Sequence, residues 1–353
     1  MTDRVAIVGA GVLGSAIGWQ AARAGFDVTL IDPKPGQGAS AGSLAWLNAS
    51  FAEDPVYNRL RLDSMALWRE LLEAHPDLPV SFPGAILWND RDEDLAALTG
   101  PAPDQQQGAR ALDADGARAL DPGLVNTPER AVHAPFDGYG EPAQICRWFL
   151  DRAVASGARI LAARVSELTR SGDLWNVQTE TEDIATERVV LAAGTDLAGL
   201  MAKLGLAISM ANKAGISVRT DATPARVSHI LSTPEGDLWQ GPDGRFLIAA
   251  SPAQEETAGK AADRVLRQLA NILGTSEGLT PETVIERLRP IPADGRPAIG
   301  PVGSAGLYAV TTHSGMTLAP VIAEMVTAEL RGVPDPRLDP YRPGRPALQP
   351  EAP

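Results

Sequence analysis

An apolar run from Val5 to Val8 enters Gly9-Ala-Gly11-Val-Leu-Gly14, and the next apolar segment ends on Asp32. No other feature of this chain limits the fold as strongly. The spacing is that of a strand, a glycine turn and a helix wrapped on a dinucleotide. Gly9 permits the tight turn, Gly11 lets the backbone approach a pyrophosphate, and Gly14 lets the following helix lie close on the strand. The phosphates then sit at the N-terminus of a helix expected over residues 15–24 and closed by Gly25. Asp32 stands 18 residues after Gly14, where a carboxylate accepts hydrogen bonds from ribose hydroxyls and disfavours a 2′-phosphate. NAD and FAD both use this unit, so the rest of the chain must choose between them.

At 353 residues, 44% of them hydrophobic, the chain fits two domains with substantial cores. A net charge of −13 gives no reason to expect the basic face that nucleic acid or an anionic membrane requires. The single cysteine, Cys146, excludes an intrachain disulfide framework or a Cys-rich metal cluster and fits a reducing compartment. It is expected to be buried filler rather than a reactive thiol. No pair of the four histidines has metal-ligand spacing, so no metal is expected. No basic region precedes the apolar start and no apolar run reaches about 18 residues, so a cytoplasmic protein with neither signal peptide nor membrane insertion is expected.

Residues 36–48 are dominated by Gly, Ala and Ser, which suits a loop and helix start laid along an extended ligand. A helix is predicted over 55–75, stopped by Pro76. Residues 81–88 read as a strand, 92–98 as a helix, 100–107 as a loop, 109–120 as an Ala-rich helix and 131–138 as a strand and turn. Pro142 opens an amphipathic helix closed by Gly157. The fully apolar run Val189 to Ala193 ending at Gly194 signals a central parallel strand whose carboxyl end faces the ligand crevice. Alternating strands follow over 208–250, then a helix over 261–273.

The C-terminal part is the most particular. Arg289-Pro-Ile-Pro-Ala-Asp294-Gly295-Arg-Pro297-Ala-Ile-Gly300 is followed by His313-Ser-Gly315-Met-Thr-Leu318 and a helix to residue 330. With the N-terminal unit, the Ala-Ser40-Ala-Gly-Ser43 loop, the Asp137-Gly-x-x-x-Pro142 element and the Val-Leu-Ala-Ala-Gly194 strand, this order resembles the D-amino acid oxidase family of flavoproteins, which includes glycine oxidase, sarcosine oxidase and D-amino acid dehydrogenase. The likeness covers nearly the whole chain.

The resemblance implies an α/β fold, with a Rossmann-type FAD-binding domain carrying an inserted α+β substrate domain built on an antiparallel sheet. The FAD-binding part would comprise 1–80, 140–205 and 285–335, the substrate part 81–139 and 206–284, with 336–353 a tail packed along the surface or frayed. It implies FAD with its ADP half on Gly9, Gly11, Gly14 and Asp32, and Val165 near the adenine. Ser40, Ser43 and Leu44 would run along the ribityl chain and flavin, with Ala193 and Gly194 under the phosphates or ribose. Gly315, Met316, Thr317 and Leu318 would aim helix amides at the flavin pyrimidine edge, where negative charge gathers on reduction; their other reading is a plain helix cap. The relatives that tether FAD use a C-terminal cysteine that is absent here, so the flavin is expected to be non-covalent.

Arg289 is the candidate anchor for a substrate carboxylate, a planar fork being matched to it. Arg287, two residues earlier on a strand, would face the same side and is a second candidate. His313 precedes the flavin-facing helix and is a candidate dipole or hydrogen-bond donor at the flavin or substrate. The activity implied is oxidation of a C–N bond in a small amino or imino acid. Hydride would pass to flavin N5, an imine would form, and O2 or another acceptor would reoxidise the flavin. The alternatives are an NAD-dependent dehydrogenase, a flavin-dependent amine dehydrogenase with a further redox partner, and a tailoring oxidase acting on a larger amine. The chain could also form a homo-oligomer.

Overall fold

A computed structural model of the chain describes residues 3–50, 54–88 and 108–349. Its centre is a six-stranded sheet in the order Ala298–Pro301, Leu307–Thr311, Arg188–Leu191, Arg4–Val8, Asp27–Ile31 and Arg159–Leu161. All neighbours are parallel except the Ala298–Pro301 edge, which runs antiparallel to Leu307–Thr311. Strands so buried read as continuous apolar runs. Val5, Ile7, Val28, Leu30, Val189 and Val190 are at most 1% exposed.

Helix Val12–Arg23 lies on one face of this sheet, packed against Pro142–Ala155 and Gly315–Leu330. Trp19 meets Trp148 and Phe149 with ring centroids 5.2 and 5.8 Å apart. The opposite face is covered by a three-stranded antiparallel sheet, Val165–Ser171, Leu174–Thr179 and Asp183–Thr186. Because the strands are parallel, Val8, Ile31, Leu191 and Thr311 all end at the same edge, where a crevice opens.

The second large sheet has eight strands, ordered Pro281–Arg289, Lys213–Thr220, Phe246–Ala250, Gly236–Gln240, Ile230–Thr233, Ala85–Leu87, Arg130–Ala134 and Arg110–Asp113. It departs from the expected antiparallel sheet at one place, since Ala85–Leu87 and Ile230–Thr233 pair in parallel. These two strands come from segments far apart in the chain, so no tight turn forces them to reverse. Helix Ala258–Leu273 covers one face of this sheet. Strand Pro281–Arg289 continues past residue 285, so the chain re-enters the first sheet only after Pro290.

Three further expectations change. Residues 109–120 are not one helix: Arg110–Asp113 is a strand paired with Arg130–Ala134, and only Ala114–Leu120 is helical. The Asp113 carboxylate accepts from Gly116 N at 2.8 Å, and this cap starts the helix after the strand has paired. Residues 36–48 form turns and the short strand Trp46–Leu47 rather than a helix start. Of the two readings of the tail, its described residues 336–349 follow packing rather than fraying, and they dock more deeply than a surface strip. Leu338, Tyr341 and Leu348 are at most 1% exposed, Arg345 pairs with Asp294 at 2.7 Å, and Arg342 pairs with Glu329 at 2.6 Å. Buried apolar side chains and part-buried ion pairs outweigh its Pro-rich composition. The predicted helix over 92–98 and the loop over 100–107 lie outside the described residues.

Among the described residues no helix is long and apolar enough to cross a membrane, and no group of three or more His, Cys, Asp or Glu could hold a metal ion.

Candidate functional site

The crevice between the two large sheets is a cavity of about 1170 Å³, above the roughly 300–1,000 Å³ of most small-ligand sites. One end is made by the glycine turn. Gly9 has φ +103°, and a Cβ on it would lie 2.4 Å from the Ala192 carbonyl oxygen. The turn therefore passes against the end of the neighbouring strand only because Gly9 is bare. A Cβ on Gly14 would meet the Gly9 carbonyl oxygen at 1.9 Å. Gly14 is behind the cavity wall, and its work is to bring helix and turn together.

Asp32 accepts from Ala10 N at 2.8 Å and from Lys34 N at 2.7 Å. A carboxylate has about four acceptor sites, so two amides leave capacity for ribose hydroxyls. Val165, Ala193 and Gly194 stand beside it on the same wall.

The small-residue loop runs down the middle of the cavity. Ser40 Oγ accepts from Val12 N at 3.1 Å, and Ser43 Oγ accepts from Ala45 N at 2.7 Å. Trp239 Nε1, from the eight-stranded sheet, donates to the Leu44 carbonyl at 2.8 Å and ties the loop to that sheet. Ala45 holds φ +51°, a left-handed conformation that a non-glycine residue keeps only where its surroundings impose it.

Beyond the loop is the N-terminus of helix Gly315–Leu330. Gly315, Met316 and Thr317 line the cavity, whereas Leu318 is fully buried in the core. Ser64 Oγ donates to the Thr317 carbonyl at 2.6 Å, and Trp68 Nε1 donates to the same oxygen at 3.0 Å. Both fix the first helical turn.

Arg289 and His313 meet at this end. The Arg289 guanidinium donates from Nη2 to Ser251 Oγ at 2.9 Å and to the Ala214 carbonyl at 3.3 Å, while its buried Nε has no partner among the described residues. Arg289 can lie across the sheet because Gly215 is bare: a Cβ there would sit 3.2 Å from Arg289 Nε. Burial lowers its pKa, offset in part by Asp237. His313 faces the cavity, and burial, then Arg289, Arg61 and Lys213, push its pKa down to about 4. It is therefore neutral near pH 7, a weak base but an available hydrogen-bond partner.

The sequence reading missed several groups here. Arg61 is buried and donates to the Ser50 carbonyl at 2.7 Å and to the Asn48 carbonyl at 3.1 Å. Asp237 faces Arg289, accepts from Ser232 Oγ at 2.6 Å, and is raised by burial to about 6. Lys213 also lines this end, beside Arg287, the second candidate anchor read from the sequence. Each arrives from a segment distant in sequence, so no local motif marks it.

The wall fits a flavin dinucleotide. It has a bare-glycine cradle at one end and a helix N-terminus at the other. Tyr57 Oη, Thr311 Oγ1 and Thr312 Oγ1, all on cavity-lining residues, are buried without partners among the described residues. Cys146 is fully buried off the cavity wall, with burial pushing its thiol up to about 12.

A model of the family described as FAD dependent oxidoreductase matches residues 4–329. The chain is 27% identical to the uncharacterized oxidoreductase YurR of Bacillus subtilis, over 96% of this chain and 97% of that protein. It is 26% identical to glycine oxidase of Pseudomonas aeruginosa, over 96% and 98% of the two chains. The crystal structure of glycine oxidase from Geobacillus kaustophilus superposes with a TM-score of 0.86 at 23% identity, covering 98% of this chain and 99% of that one.

Proposed function

The chain belongs to the FAD-dependent oxidoreductase family matched over residues 4–329, and on that footing we propose that it oxidises the C–N bond of a small amino or imino acid to an imine. The observation that carries this reading is Arg289. Its guanidinium is on the cavity wall beyond the helix N-terminus, held on two sides, with Nε buried and unpartnered among the described residues. A substrate carboxylate satisfies that group with charge-assisted hydrogen bonds.

In this reading Gly9, Gly11 and Asp32 hold the ADP half of FAD, and the 40–44 loop runs along its ribityl chain. The amides of Gly315, Met316 and Thr317 serve its pyrimidine edge, where a helix N-terminus favours negative charge. No cysteinyl tether is used, since the chain's single cysteine is buried off the cavity. Bound FAD supplies the acceptor for the hydride lost from the substrate.

The chain's own residues do the rest. Arg289 fixes the carboxylate and with it the direction of the Cα hydrogen. Arg289, Lys213 and Arg61, the cations that depress His313, also disfavour a protonated substrate amine, so the lone pair needed for C–N oxidation is free. Neutral His313 offers a dipole or hydrogen bond and takes no proton. The imine hydrolyses after release.

The test is anaerobic flavin bleaching with glycine, sarcosine, proline and a D-amino acid panel, followed by kinetics of Arg289→Gln. Removing one partner of a buried charged pair costs about 2–5 kcal/mol, a fall in kcat/KM of roughly 30-fold to several thousand-fold. Bleaching by no amino or imino acid, or an Arg289→Gln enzyme with unchanged kcat/KM, would overturn the assignment. Peroxide release then separates O2 from another acceptor.

A further inference from the structure

The edge of the eight-stranded sheet brings together more positive charge than one carboxylate satisfies. Strands Lys213–Thr220 and Pro281–Arg289 pair with Lys213 opposite Arg289 and Gly215 opposite Arg287. Cross-strand partners share a face, as do residues two apart along a strand, so Lys213, Arg287 and Arg289 all project from the same side. All three line the cavity.

Arg287 is seated there. A Cβ on Gly42 of the small-residue loop would lie 2.6 Å from Arg287 Cγ, so the bare glycine gives the aliphatic stem its place on the loop. Its guanidinium donates from Nη1 to the Glu286 carbonyl at 2.9 Å. Among the described residues neither Arg287 nor Lys213 has a carboxylate in an ion pair, whereas Arg264, also on the wall, is paired with both Glu235 and Glu256.

Asp237, also on the wall, is the carboxylate that acts on Arg289. With Arg61, which also faces His313, and Asp196, whose turn contacts strand Pro281–Arg289, four cations against two carboxylates leave two positive charges at this end, in a chain whose net charge is −13. One substrate carboxylate leaves one of them unmatched. The two arginines stand two residues apart on a strand, roughly 6–7 Å, a span their long side chains can close onto two carboxylates of one small molecule.

We propose that the substrate is a dicarboxylic amino or imino acid, its first carboxylate on Arg289 and its second on Arg287 with Lys213. This deepens the reading of Arg289 given above and rests on it. Arg287 and Lys213 thereby set specificity, and neutral amino acids of similar size are the poorer substrates.

The test uses two sulfur compounds that carry no amine and are not oxidised, thiodiacetate and (methylthio)acetate, titrated into the FAD-loaded enzyme through the visible spectrum of the flavin. They differ by one carboxylate. The diacid should bind at least about tenfold more tightly, and the advantage should shrink as salt is raised. Arg287→Gln should remove most of the advantage, the remainder resting on Lys213, and Arg287→Lys should keep more of it than Arg287→Gln.

Equal affinities for the two acids, or an advantage untouched by Arg287→Gln, would overturn the proposal. So would loss of FAD from Arg287→Gln, which would assign Arg287 to the cofactor. Failure of the underlying reading looks different: neither acid then perturbs the flavin, and Arg289→Gln changes nothing.

Discussion

Replacing Gly14 by Ala tests the nucleotide cradle most directly, because the structure sets two opposing effects against each other. Alanine is the better helix former by about 1 kcal/mol, so on propensity alone the substitution stabilises helix Val12–Arg23. The new Cβ would lie 1.9 Å from the Gly9 carbonyl oxygen, however, and real Cβ contacts essentially never fall below 3.0 Å. That oxygen is backbone, so the whole Gly9–Gly11 turn must retreat by about 1 Å, and strain of this kind costs about 1–3 kcal/mol. With the backbone at the upper end of that range, the net loss is about 2 kcal/mol.

The shift also moves Ala10 N from the Asp32 carboxylate it serves at 2.8 Å, so FAD affinity should fall at least about tenfold. Gly18→Ala is the control. Its Cβ would meet only the Leu30 side chain, at 2.9 to 3.1 Å, and side-chain adjustment roughly cancels the gain in propensity. The assay is FAD titration of the apoprotein by fluorescence quenching, with the urea midpoint of each variant. A Gly14→Ala protein that binds FAD like the parent at an unchanged midpoint would refute the reasoning, as would Gly18→Ala failing equally.

The buried Asp137 makes stability depend on pH in a defined direction. It accepts from Trp46 Nε1 at 2.9 Å, yet burial raises its pKa from 3.8 to about 7. Between these values the folded chain keeps a proton that the unfolded chain has released, so this contribution is whole below pH 4 and is lost as pH rises through 7. Asp137→Asn should flatten that part of the urea-midpoint profile, and an unaltered slope would show that Asp137 is not its source. Leu338 is fully buried in the tail, so Leu338→Ala should cost about 2–5 kcal/mol in urea unfolding. A loss under 0.5 kcal/mol would mean that the tail is not docked.

Much of the fold was legible because local chemistry and tertiary structure agree. Helices Pro55–Ala74, Pro142–Ala155 and Gly315–Leu330 are where their prolines, glycines and apolar periodicity put them. The Val189 run is a central strand, as an unbroken apolar segment should be. The misreadings share one cause. Residues 109–120 look helical in isolation, but Arg110–Asp113 is claimed by Arg130–Ala134, and pairing with a distant strand outweighs intrinsic propensity. The tail looks unstructured by composition, yet the pockets for Leu338 and Leu348 are built by other parts of the chain.

The sequence by itself determined the cradle. Gly9, Gly11, Gly14 and Asp32 belong to a single strand–turn–helix–strand unit, and short-range sterics require glycine wherever backbone must meet backbone. Only the tertiary structure decided the other end of the cavity. Lys213, Asp237, Ser251, Arg287 and Arg289 come from four strands or their ends, brought onto one wall by sheet register, and Arg61 joins them from a helix near the start of the chain. Charge acts through space rather than along the chain, so their joint field, and its effect on His313, could not be read from any one segment.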